Sequence, residues 1–274
     1  MSLEVSNILP HAILRALFEA AIHAGRSYKA RALCGALCAV SPLCSDLGAA
    51  AYVESIFCVA VQSQQLRRWR DASKVLCLLA HFCEVKGLQS QHARLLLARG
   101  EMQLEACARD PVRAVPVLLR CLSLCELCAM DSVHALATLA LARAHLQLGD
   151  AQRANALLVA ALPKVLEHAT ATDRGHAWLA LAKCEILQMQ TPTSNHTPQG
   201  QKAQNNAERA HVTIALHRLD KAIQAFEHVH HWKALSDAHY LRARVCHRIP
   251  DKRPERNESA RHILRLGKLL CAKG

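Results

Sequence analysis

The sequence predicts an all-α protein, a right-handed α-solenoid of about six helical hairpins that spans residues 1–274 as one domain. Three observations predict it. The apolar half of the chain is mostly Ala and Leu, and only 4% of residues are aromatic. Ala and Leu lose little on entering a helix, whereas sheets rely on β-branched and aromatic side chains. Apolar residues also recur at three- and four-residue steps, as in "ALATLALARAHLQL" (Ala135–Leu148), which is the period of a helix face. Finally, a small residue returns about every 40 positions, and a period of that size marks a stacked helical array.

The hairpins follow from that small residue in chain order. Ala30 lies in "GRSYKARALCGAL", Ala72 in "RRWRDASKVLCLL", Ala114 in "RDPVRAVPVLL", and Ala154 five residues after the turn glycine Gly149. Their spacings are 42, 42 and 40 residues. Ala222 in "RLDKAIQAFEHV" comes 68 residues later, and Ala260 in "ERNESARHILRL" closes the series after a further 38. The long interval contains "TPTSNHTPQGQKAQNN" (Thr191–Asn206), which is polar and has Pro and Gly but no large apolar residue. It reads as a flexible loop over residues 190–207, inserted within one hairpin. A lone hairpin cannot bury its apolar stripe, so each must stack on its neighbours, and small residues let the helices approach.

Tetratricopeptide repeats place small residues at the eighth and twentieth positions of each unit. Ala60, Gly100, Ala142, Ala182 and Ala243 fit the eighth, and the series above fits the twentieth. Trp178, Leu181 and Ala182 match the core of that motif. At about 40 residues the hairpins are extended, tetratricopeptide-like units.

Two longer stretches point further. "AHLQLGDAQRANALLVAALPKVLEHATATDRGHAWLALAKCEI" (Ala144–Ile186) and "AIQAFEHVHHWKALSDAHYLRARVCHRIPDKRPERN" (Ala222–Asn257) carry a "DRG" helix entry, a polar insertion after that helix, and "YLRARVCH" before "ERN". In these features the chain resembles the C-terminal repeats of the anaphase-promoting complex subunit 5 family. The resemblance runs as a pattern over residues 45–272 and is close beyond about residue 115. Pro250 departs from it, standing where a turn glycine is usual. The resemblance implies a non-catalytic scaffold in a multisubunit E3 ubiquitin ligase of the cell cycle. Such a subunit holds neighbouring platform subunits and works in the nucleus and cytoplasm. The implied partners are other subunits of that complex, with no small-molecule substrate and no membrane.

Composition narrows the alternatives. The N-terminus has no basic leader, and no stretch reaches the ~18 apolar residues of a membrane span. The 13 cysteines stand at helical spacing, so reduced thiols are expected and the sequons at Asn195 and Asn257 carry no meaning. Net charge is +12, and residues 242–273 hold ten Lys and Arg against three Asp and Glu. That excess suits an acidic protein surface or nucleic acid, or is simply solvated. Nucleic acid is disfavoured, because a base-reading helical repeat expects a fixed 35-residue period.

No catalytic, metal or cofactor motif is present: no phosphate-binding glycine loop, nucleophile elbow, H-E-x-x-H or paired C-x2-C knuckle. Cys121, Cys125 and Cys128 follow C-x3-C-x2-C on one helix face and read as small packing residues. His228, His230 and His231 fall at a predicted turn and read as structural or exposed. The candidate partner-binding residues are Arg143, Lys183 and Arg244, each just after an eighth-position Ala and facing the groove. Stacked, they form a basic strip able to hold acidic peptides, the alternative function being a peptide-binding adaptor of the co-chaperone or cargo type. The competing reading is three solvated side chains or bridges to nearby Glu. Thr191 and Thr197 precede prolines and are candidate phosphorylation sites, as is Ser41.

Overall fold

Every regular element in the computed structural model is helical, as the Ala- and Leu-rich periodicity requires, and the described residues contain no strand. The structure describes residues 13–22, 27–40, 48–106, 110–189 and 198–271. The helices are α1 (13–22), α2 (Ser27–Val40), α3 (Gly48–Gln65), α4 (Trp69–Val85), α5 (Gln89–Ala106) and α6 (Ala114–Leu127). They continue as α7 (Asp131–Gln147), α8 (Ala151–His168), α9 (Ala171–Gln188), α10 (Pro198–His228), α11 (Trp232–His247) and α12 (Arg253–Cys271). Short 3-10 turns at Pro111–Arg113 and Pro250–Lys252 lead into α6 and α12. Each begins with proline, whose missing N–H is no loss at a helix start.

Five of the turns share one hydrogen-bond pattern. A backbone N–H reaches back five residues: Arg68 to Ser63, Leu88 to Cys83, Met130 to Cys125, Asp150 to His145, and His231 to Phe226, all at 2.8–3.0 Å. The residue just before each donor sits at positive φ, which is the Schellman arrangement for ending a helix. Gly87 and Gly149 hold that position without strain, while Arg67, Ala129 and His230 hold it despite a Cβ. New helices start on local caps. The Asp150 side chain accepts from Arg153 N–H, Thr170 from Asp173 N–H, and His231 from Ala234 N–H.

The described residues fall into two compact units, one ending at Ala140 and the other beginning at Leu141. In the first, neighbouring helices pack as α2 on α3, α3 on α4, α4 on α5 and α5 on α6. Phe18, Ala21, Ala30, Cys34, Leu37 and Cys58 form one core cluster, and Val53, Ala60, Ala72, Leu76, Leu79, Cys83, Leu95 and Met102 form another. Cys34 is thus a core residue, and Trp69 and Phe82 are half-buried. Glu54 on α3 ties the first helices together, accepting from Arg15 at 2.7 Å and Arg94 at 3.3 Å.

In the second unit, α8 packs on α9, α9 on α10, α10 on α11 and α11 on α12. Its core runs from Leu179 and Ala182 through Leu219, Ala222 and Phe226 to Ala238, Val245 and Leu266. Gly175 permits a close approach of α9 to α10. A Cβ there would stand 2.6 Å from Cε1 of the fully buried Phe226 ring, so only glycine fits.

Two sequence expectations change. The irregular loop predicted over 190–207 is partly helix, because α10 already begins at Pro198; residues 190–197 lie outside the described residues. Proline fixes φ near the helical value, which favours a helix start there. In the last hairpin the twentieth-position residue is Ser259, wholly buried, and Ala260 is exposed. The 3-10 turn begun by Pro250, in place of a turn glycine, leads into α12 with this phase one residue earlier than the alanine spacing suggests.

Candidate protein-interaction surface

The small residues that precede the proposed basic strip are fully buried at two of its three positions. Ala142 and Ala182 have no exposed surface, and Ala243 is half-buried. A residue one step further along each helix therefore emerges at the edge of the packed face. Arg143 is half-buried, and Lys183 and Arg244 are exposed.

Lys183 on α9 lies within the electrostatic reach of Arg143 and Asp237. Its proton affinity is lowered first by burial and then by the Arg143 charge, with Asp237 of α11 acting in the opposite sense. Yet its surface is open to a water molecule. Arg143 and Lys183 thus share one electrostatic environment. Arg244 stands otherwise: its guanidinium packs over the Tyr240 ring at 5.8 Å, and it is not among the charges that act on Lys183. Thr191, Thr197 and Ser41 lie outside the described residues.

The cysteine run is packed into the helix spine. Cys121 and Cys125 are buried with sulfurs 4.0 Å apart, and Cys121 also donates to the Ala93 carbonyl at 3.2 Å. Burial raises both thiols, which suppresses the thiolate needed for nucleophilic or metal chemistry. Cys128 caps α6 and donates to Gln89 at 3.1 Å. Cys107 lies outside the described residues. The histidines at the α10–α11 turn diverge. His230 stacks on Trp232 at 5.0 Å, and His231 caps α11 while meeting the rings of His176 and Phe226. Among the described residues no group of three or more His, Cys, Asp or Glu is arranged to hold a metal ion. Nor is any described helix long and apolar enough to cross a membrane.

Two polar features escape a reading of the sequence. Glu185, buried on α9, accepts from Arg218 at 2.6 Å and pairs with His211 at 2.6 Å, both on α10. Arg218 also donates to the Leu181 carbonyl at 3.1 Å, so the network pins α9 to α10. A lone Glu inside the apolar run "LALAKCEIL" is the signal that could have found it. His239 on α11 is 5% exposed and stacks on His262 of α12 at 4.7 Å, with planes 6° apart. Both of its ring nitrogens are buried without a hydrogen bond. Nothing in the surrounding sequence distinguishes it from an exposed histidine.

The basic C-terminal region resolves into paired and unpaired charges. Arg242 donates to Asp220 at 2.9 Å and Ser259 at 3.0 Å, Lys252 pairs with Glu255 at 3.2 Å, and Arg248 with Glu208 at 3.9 Å. Arg256 bonds Asn257 and His247. Arg261, Arg265 and Lys268 are exposed and have no partner among the described residues.

No protein-family model matches the chain, and no curated protein matches it.

Proposed function

We propose that the chain is a non-catalytic scaffold subunit of a multisubunit E3 ubiquitin ligase of the anaphase-promoting type, present in nucleus and cytoplasm. In this proposal the helices form six tetratricopeptide-like hairpins of one right-handed solenoid, and its surfaces hold neighbouring platform subunits during cell-cycle-regulated ubiquitination. The observation that carries the scaffold reading is the small-residue register. Ala60, Ala142 and Ala182 on first helices, and Ala30, Ala72, Ala114, Ala154 and Ala222 on second helices, are all without exposed surface. Helices spaced in this way make long packed faces rather than a closed catalytic cleft. The ligase assignment rests on the resemblance of Ala144–Ile186 and Ala222–Asn257 to subunit 5 repeats. Mixing the purified chain with recombinant platform subunits at equimolar ratio tests it. Co-migration as one stoichiometric complex in size-exclusion chromatography is expected, and separate elution rejects the reading.

The nearness of the Arg143 charge to the exposed Lys183 favours a second reading, a peptide-binding adaptor that takes an acidic segment. Replacing Arg143, Lys183 and Arg244 together with Glu should abolish partner pull-down in that case. Unchanged pull-down removes the adaptor reading and leaves the scaffold standing.

A further inference from the structure

The second unit ends in a helix whose outer face is unpartnered and of one charge. α12 buries Ser259 and Leu266, which fixes the direction of its inward face. At 100° per residue, Arg261, Leu264, Arg265 and Lys268 fall together on the opposite side. All four are exposed, and Leu264 is 70% exposed. The two acids of α12 precede this patch: Glu255 pairs with Lys252, and Glu258 lies 4.0 Å from Arg242. No acid follows Glu258 in the helix. None of the three cations Arg261, Arg265 and Lys268 is paired with a carboxylate among the described residues.

We propose that this face of α12, made by Arg261, Leu264, Arg265 and Lys268, docks an acidic amphipathic helix of a partner protein. Arg261 and Arg265 stand one turn apart, so their guanidinium forks can each take a carboxylate spaced by one turn on the partner. Leu264 stands one turn from Arg261 and one turn from Lys268, at the edge of the basic strip, where an apolar side chain of the partner can pack on it beside the charge pairs. The composition of the face separates this partner from the other anionic ones. Single-stranded nucleic acid is held by cations together with aromatic side chains for stacking, and the face has no aromatic residue. A membrane surface calls for a broad apolar face, whereas here a single leucine borders three cations. The surface is independent of the ligase reading.

The test is a selection. A display library of helical peptides, randomised in sequence, is panned against the full chain, and the winners are assayed by fluorescence anisotropy. Winners should carry Asp or Glu one turn apart around Leu, Ile or Phe. Their affinity should fall ~100-fold on the combined Arg261→Glu, Arg265→Glu and Lys268→Glu change, and ~10-fold on Leu264→Ser. Because all four side chains are exposed, circular dichroism should be unchanged in both variants. Winners without acids, or winners indifferent to both variants, overturn the proposal. So does tight binding of oligouridylate that the charge reversal removes and Leu264→Ser leaves intact, an outcome that assigns the face to nucleic acid.

Discussion

Acid should loosen the last hairpin through His239. The ring is 5% exposed, neither nitrogen has a hydrogen-bond partner, and it lies flat against His262. Burial, then His262, then Arg242 push it down to about 4 from the ordinary 6.5. The sign follows from proton counting. Above pH 6.5 both folded and unfolded states hold a neutral ring, so its ionisation has no effect. Between 6.5 and 4 the unfolded state binds a proton that the folded state refuses, and stability falls as pH falls. The penalty is about 2 kcal/mol at pH 5 and tends to about 3 kcal/mol below pH 4. Repeat arrays open locally, so hydrogen exchange is a better probe than a single melting curve. Peptides from α11 and α12 should lose protection about 30-fold between pH 7.5 and pH 5 after correction for intrinsic rates. His239→Leu isolates the effect because it keeps an apolar side chain of similar reach. The variant should lose most of the pH dependence in those two helices. An equal loss of protection in wild type and variant would refute the role of His239.

Other consequences are local. Gly175→Ala drives a methyl into the Phe226 ring and should destabilise by about 2 kcal/mol in urea titrations; a neutral result would mean that the ring shifts freely. Ala129→Gly relieves a left-handed residue and should stabilise by about 1 kcal/mol, whereas Gly149→Ala, at φ 82°, should destabilise by a similar amount. Comparing the two urea midpoints with wild type checks both signs. Glu185→Ala leaves Arg218 without its buried carboxylate and should destabilise by about 3 kcal/mol. The double variant with Arg218→Met should recover much of that loss, and a simply additive double-mutant cycle would contradict the coupling.

The helices and their spacing were legible in the sequence because Ala and Leu repeat with the period of a helix face. Gly149 announced one of the turns, since a glycine at positive φ is the commonest way to end a helix. Arg67, Ala129 and His230 make the same turn, yet no local residue preference marks them. There the hydrogen bonds and packing of the hairpin override the residue's own bias. The alanine series held through Ala222 and slipped at the end, where Ser259 replaces Ala260 as the buried contact. A buried serine is invisible to a pattern of small apolar residues, and its place is explained only by the Arg242 guanidinium that bonds it.

The site was legible more unevenly. Arg143 and Lys183 could be placed together because both follow a buried alanine. Arg244 obeys the same rule, but it lies over Tyr240, a ring contact that spacing cannot foresee. The lone Glu in "LALAKCEIL" marks Glu185, but its partners on α10, like the stacked histidines, depend on which residues meet across two helices, and no local pattern encodes that. The unpaired face of α12 emerges only after Arg242, Arg248, Lys252 and Arg256 have been assigned their partners.

Tagging the endogenous chain and quantifying what co-purifies from dividing cells addresses the scaffold proposal most directly. Platform subunits of the anaphase-promoting ligase, recovered at near-equal stoichiometry, are the expected result. Recovery of chaperones or RNA without those subunits would contradict it.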